Sequence, residues 1–162
     1  MKFIHLSDLH IGKRVNEFSM LEEQRYILLK ILEIIEQEKP DAVLIAGDVY
    51  DKSQPSGEAV KMLDEFIFRL SDMPLSAFII SGNHDSAERL SFGSRIMERA
   101  NIFISPVYDG TIKKHTLKDE WGEVNIFMLP FIKPVNVRQA FPDEEINGYT
   151  DAIAAAISKM DV

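Results

Sequence analysis

The sequence predicts an α/β domain with a parallel sheet at its centre. Three observations lead there. Short apolar runs of strand length alternate with amphipathic stretches of helix length from residue 2 to residue 99. Proline, glycine, Asp and Ser mark the junctions between them. A polar cluster then follows directly on each of the first three apolar runs, where an α/β sheet places its ligand-binding crevice.

The elements follow in order. "KFIHLS" (2–7) is the first strand. Residues 20–38 keep a helical period that puts Leu21, Leu28, Ile31, Leu32 and Ile35 on one face and Glu22, Glu23, Lys30 and Glu33 elsewhere. "KPD" ends that helix, because the residue before a proline is steered out of the α region. "AVLIA" (42–46) is the second strand. Ser56 is suited to cap a helix running to about Leu70, with Ala59, Leu63, Phe66, Ile67 and Leu70 facing the core. "SAFIIS" (76–81) is the third strand, and a shorter helix covers Ala87 to Arg99. This βαβαβ order implies right-handed crossovers and helices against the sheet.

The rhythm changes after that. "NIFISP", "TIKKHTL" and "EVNIFMLP" read as strands, with turns at Asp109-Gly110 and Trp121-Gly122 and no helix between them. A more antiparallel segment is expected there. Residues 149–160, "YTDAIAAAISKM", form a last helix starting near Thr150 or Asp151. No internal repeat, low-complexity tract or linker interrupts the chain, so its 162 residues read as one domain.

Composition narrows the function classes. Hydrophobic residues make up 46% and charged residues 27%, a balance that supports a packed core. The absence of cysteine excludes disulfides and thiolate metal sites and fits a reducing compartment; no membrane span or signal peptide is read, and a cytoplasmic location is expected. A net charge of −8 argues against a freestanding nucleic-acid binder, which relies on a basic surface for counterion release. It does not argue against a metal enzyme, whose bound cations supply positive charge where an anionic substrate sits.

The three clusters are Ser7-Asp8-Leu9-His10, Gly47-Asp48-Val49-Tyr50-Asp51 and Gly82-Asn83-His84-Asp85. If their strands are neighbours, Asp8, His10, Asp48, Asn83 and His84 share one rim. Carboxylate, imidazole and amide oxygen without thiolate suit Mn, Fe, Zn or Mg. Two such ions can activate water and stabilise the departing oxygen of a phosphoester, and a histidine that is not a ligand can protonate the leaving group. Each cluster alone is ordinary turn chemistry; three together, each at a strand end, point to a metal site. His5, inside the first strand, reads as a packed or ligand-supporting residue, and His115 as a surface residue. Asp51 and Asp85 either orient ligand side chains or cap the helices that follow them. Tyr50 and Phe92 read as packing residues.

The motifs "DLH", "GDVYD" and "GNHD", in this order, resemble the calcineurin-like metallophosphoesterase superfamily. "MKFIHLSDLHIGKR", "LEEQRYILLKILEII", "GNHDSAERLSFGSRIM" and "MLPFIKP" are similar to the SbcD family of bacterial double-strand-break repair nuclease subunits. The resemblance implies an α/β metallophosphoesterase sandwich. It implies that Asp8 and His10 bind one metal, Asp48 bridges two, Asn83 binds the second, and His84 is the catalytic histidine. It further implies two divalent ions, Mn2+ foremost, and DNA exo- and endonuclease activity at ends and hairpins. An SbcC-type ATPase partner and a homodimer of the full-length protein are implied with it. Lys13, Arg14, Arg89 and Arg95 lie near the expected rim, where Arg14 and Arg89 are candidates to meet substrate phosphates.

One departure stands out. The family pattern has further metal histidines beyond the "GNHD" block, whereas this sequence has none after His115. Residues 1–162 are therefore expected to be the N-terminal part of the nuclease domain, without the capping and ATPase-docking regions. The sandwich would be incomplete, metal binding weak, nuclease activity weak or absent, and apolar surface left open to self-association. Two other readings compete: a phosphoesterase of the same superfamily acting on cyclic nucleotides or phosphoproteins, and a metal-poor scaffold.

Overall fold

A four-stranded parallel sheet forms the centre of the structure, a computed structural model that describes residues 1–160. Its strands are β1 (Phe3–Leu6), β4 (Ala42–Ala46), β5 (Ser76–Ile80) and β6 (Ile102–Ile104), side by side in that order. Between β1 and β4 the chain makes a small antiparallel pair, β2 (Arg14–Val15) and β3 (Phe18–Ser19), then helix α1 (Leu21–Glu38). Helix α2 (Gly57–Ser71) connects β4 to β5, and the short helices α3 (Ala87–Leu90) and α4 (Ser94–Met97) lie between β5 and β6. A hairpin of β7 (Lys113–Asp119) and β8 (Gly122–Met128) follows, then α5 (Pro134–Ala140) and α6 (Tyr149–Ser158). No described helix is long and apolar enough to cross a membrane.

The predicted helical faces are the ones that pack. Leu28, Leu32 and Ile35 of α1, and Ala59, Leu63, Phe66, Ile67 and Leu70 of α2, are buried with Val43, Ile45, Ala77 and Ile79 from one sheet face. Each fully buried aliphatic side chain contributes about 1.5–3 kcal/mol over exposure. Lys39 ends α1 in the left-handed conformation (φ 46°) just before Pro40, so the chain leaves the helix where proline forbids its continuation. Ser56 caps α2, its Oγ accepting from the Ala59 N–H.

On the other sheet face, the β7–β8 hairpin covers the β5–β6 half through Phe78, Phe103, Leu117, Ile126 and Met128. The β1 half of that face is open, with Phe3 36% accessible and His5 exposed. His5 is thus not packed, because β1 is an edge strand whose outward side faces solvent. His115 departs from expectation in the opposite sense. It lies between the layers, its ring centroid 4.3 Å from Phe103 and 5.5 Å from Phe78, with Nε2 buried and unpartnered.

Burial, reinforced by Lys113 and opposed by Glu98, holds the His115 imidazole below its ordinary pKa of 6.5. The folded protein therefore binds fewer protons at this site than the unfolded chain. Stability falls as pH drops through 6.5 towards the depressed folded value. His115→Phe should flatten this part of the melting temperature–pH profile between pH 7 and 5. An unchanged slope in the variant would show that other groups set it.

Three further departures have local causes. Strand β6 joins the parallel sheet beside β5, rather than an antiparallel segment. The helix expected over 87–99 breaks at Gly93, whose φ of 76° is off the right-handed helix, and ends in a 3-10 turn at Glu98–Ala100. Helix α5 was not expected; Pro134 opens it, where a proline's missing N–H costs nothing.

Candidate metal centre

The three polar clusters converge because β4 lies between β1 and β5. Beyond the strands, the loops after β1 and β4 stay hydrogen-bonded: Asp8 N donates to Gly47 O, His10 N to Asp48 O, and Ile11 N to Val49 O. Helix α1 adds a brace. Gln24 Nε2 donates to the Leu9 and His10 carbonyls, and its Oε1 accepts from the Gly12 N–H. Gln24 holds the loop that carries His10, and a lone glutamine in an amphipathic helix gave no sequence signal of this.

The third loop is fixed by Asp85. Its carboxylate accepts N–H bonds from Val49 (3.1 Å), Tyr50 (2.8 Å) and Gly82 (2.8 Å), tying the β4 and β5 loops together. Neither Asp51 nor Asp85 caps a helix. Ser56 caps α2, and Ser86 accepts from the Arg89 N–H at α3. Tyr50 is a packing residue, as read, and its burial pushes the phenol up to about 12.

Within this frame His10, Asp48 and His84 bring one ligand atom each to within 4.8 Å of the others. His10 Nε2 lies 3.7 Å from Asp8 Oδ1 and 3.9 Å from Asp48 Oδ2, while its Nδ1 faces Asp51 Oδ1 at 3.7 Å. The His10 and His84 rings meet edge to face at 4.9 Å. His84 N donates to Asp48 Oδ1 (3.0 Å), and His84 Nδ1 lies 3.0 Å from the Asp51 carbonyl. Asp8, Asp48 and Asn83 line one cleft of about 340 Å³, which also includes Phe131.

The donor set fits divalent cations. Carboxylates of Asp8, Asp48 and Asp51 surround one imidazole, and no lysine or arginine among the described residues pairs with them. Such uncompensated negative charge around nitrogen and oxygen donors is what a hard or borderline dication neutralises. Arg14 bonds the Glu17 carbonyl and lines a neighbouring cavity with Asp51 and Lys52. Arg89 is exposed on α3 and does not line the cleft. Phe92 is 84% accessible and does not pack.

The backbone carries a second signature. Asp8 (φ 56°), His10 (φ 44°) and Asp48 (φ 49°) all adopt the left-handed conformation, which costs a non-glycine residue of order 1 kcal/mol. Such strain persists only where the surroundings impose it, and here it falls on three candidate ligands. Asp8→Gly should therefore raise the melting temperature of the metal-free protein by about 2–4 °C while weakening Mn2+ binding. Asp8→Asn, which removes the charge alone, serves as the control. A melting temperature for Asp8→Gly at or below that of Asp8→Asn would contradict the strain argument.

Comparison with known proteins agrees with this geometry. The family described as calcineurin-like phosphoesterase matches residues 1–153. A Staphylococcus epidermidis protein, named as the SbcD component of the SbcCD nuclease, is 37% identical over 163 residues, covering 99% of this chain and 42% of its own length. Its Staphylococcus saprophyticus counterpart of the same name is 35% identical over 161 residues, with the same coverage. The chain thus spans about 42% of the length of these curated relatives.

Proposed function

Because this chain belongs to the calcineurin-like phosphoesterase family, we propose that it carries the metal-binding and proton-donating groups of a DNA phosphodiesterase. The observation that carries the reading is the gathering of His10, Asp48 and His84 ligand atoms within 4.8 Å at the ends of neighbouring parallel strands. Asp8 and His10 hold one ion, Asp48 reaches both, and Asn83 holds the second. Two divalent ions, Mn2+ in this reading, supply a water nucleophile at neutral pH and neutralise phosphoryl charge.

His84 moves the proton. A carbonyl can only accept, so the Asp51 oxygen 3.0 Å from Nδ1 keeps a proton on that nitrogen. Nε2 is then the atom that exchanges protons and, in the imidazolium, donates to the departing oxygen. Asp51 positions this ring, Asp85 positions the loops, and Arg14 contributes positive charge beside the cleft. The SbcD relatives support DNA ends and hairpins as substrates in repair and recombination, an SbcC-type ATPase as partner, and a homodimer acting in the cytoplasm.

Hairpin DNA and a small phosphodiester, each assayed with Mn2+, test the reading. Hairpin cleavage should fall by about 10²–10⁴-fold in His84→Ala with Mn2+ binding retained. Hydrolysis of the small ester alone would contradict the DNA assignment, and cleavage unchanged in His84→Ala would contradict its role.

A further inference from the structure

A second cavity adjoins the metal cleft. Its volume is about 220 Å³, and Asn83, Ser86, Val107, Phe131, Lys133 and Asn136 are among the residues that line it. The two cavities share Ser81, Gly82, Asn83 and Phe131, so the Phe131 ring stands where they meet. Its position is fixed, because the Phe131 N–H donates to the Ser81 carbonyl at the end of β5 (2.8 Å). Yet Phe131 is 40% accessible, with only Tyr149 as an aromatic neighbour, at 6.1 Å.

The polar groups of this cavity are matched to acceptors. Lys133 forms no ion pair or side-chain hydrogen bond among the described residues. Asn136 Oδ1 accepts from the Lys133 N–H (3.1 Å), which leaves its NH2 as a donor. The two carboxylates nearby are already engaged. Asp85 accepts three backbone N–H bonds, and Glu88 accepts from the Ser86 hydroxyl, which holds its pKa below the ordinary value. An exposed aromatic face beside free N–H donors is the combination that binds a single-stranded nucleotide.

We propose that this cavity receives the nucleotide adjacent to the scissile phosphate, its base stacked on Phe131 and its phosphate on Lys133 and Asn136. The proposal rests on the phosphodiesterase reading, which puts the scissile phosphate in the neighbouring cleft. A strand entering there passes its next nucleotide over Phe131. Stacking of this kind tolerates any base, so the site favours unpaired ends and loops without choosing sequence.

The test is binding of a fluorescent phosphorothioate-linked pentathymidylate in Mn2+, followed by anisotropy. A second probe lacks one base. Phe131→Leu and Lys133→Ala should each weaken binding roughly ten-fold, with circular dichroism and the heat of Mn2+ binding unchanged. Removing the base should weaken binding to the wild type but add little to Phe131→Leu, because both changes delete the same contact. Unchanged affinity in both variants, or additive losses from base removal and Phe131→Leu, overturns the proposal. Loss of Mn2+ heat in the wild type, with oligonucleotide binding still dependent on Phe131, overturns the phosphodiesterase reading and leaves a nucleotide site.

Discussion

Gly82→Ala is expected to destabilise the protein by about 3 kcal/mol or more and to abolish metal binding. A Cβ built at Gly82 overlaps both the backbone N and the Oδ1 of Asp48, and backbone cannot give way as a flexible side chain can. Gly47 presses from the other side: its own Cβ would lie 2.9 Å from the Gly82 Cα, and its φ is 85°. The β4 and β5 loops therefore touch backbone to backbone at this one point. That contact brings the Asp48 carboxylate beside Asn83 and lets it accept the His84 N–H. An alanine must push the loops apart, and it separates Asp48 from His84 as it does so. Thermal melting and Mn2+ calorimetry on Gly82→Ala check both effects together. A stable variant that binds metal normally would show that the loops are not closely packed.

Asp85→Ala comes next in size. The substitution removes the acceptor for three N–H groups, those of Val49, Tyr50 and Gly82, and Val49 is fully buried. Unsatisfied donors at partly buried positions cost about 1–3 kcal/mol each, so a loss of about 3 kcal/mol is expected after water replaces some partners. The site should suffer beyond the fold. Asp48 and Asp51 flank the two residues held by Asp85 on β4's loop, so their side chains lose their fixed bearing. Asp85→Asn keeps one acceptor oxygen and should fall between wild type and alanine in both melting temperature and Mn2+ affinity. If Asp85→Ala lowers stability but leaves metal affinity intact, its role is confined to folding.

Much of this arrangement was legible in the residues. The α1 and α2 faces could be read because amphipathic helices repeat every 3.6 residues, and Leu28, Leu32, Ile35, Phe66 and Leu70 all fall in the core. The rim could be read because β1, β4 and β5 end in Asp or Asn clusters and turned out to be neighbours. What escaped was short or nonlocal. Strand β6 has three residues, too few for a period to distinguish parallel from antiparallel pairing. The β2–β3 turn relies on left-handed Asn16 and Glu17, of which only Asn16 is a turn-forming type. His115 looked exposed because its strand alternates with lysines, yet alternation puts it on the side facing Phe78 and Phe103. Asp85 and Gln24 act through backbone groups distant in sequence, which no local pattern encodes.

The most direct measurement is calorimetric titration of Mn2+ into the wild type and Asp48→Ala, with each variant's melting curve recorded in EDTA. Binding to the wild type, weakened at least ten-fold by Asp48→Ala without loss of metal-free stability, is the predicted result. No binding by the wild type, or equal binding by both, would mean that the ends of β1, β4 and β5 do not form a metal centre.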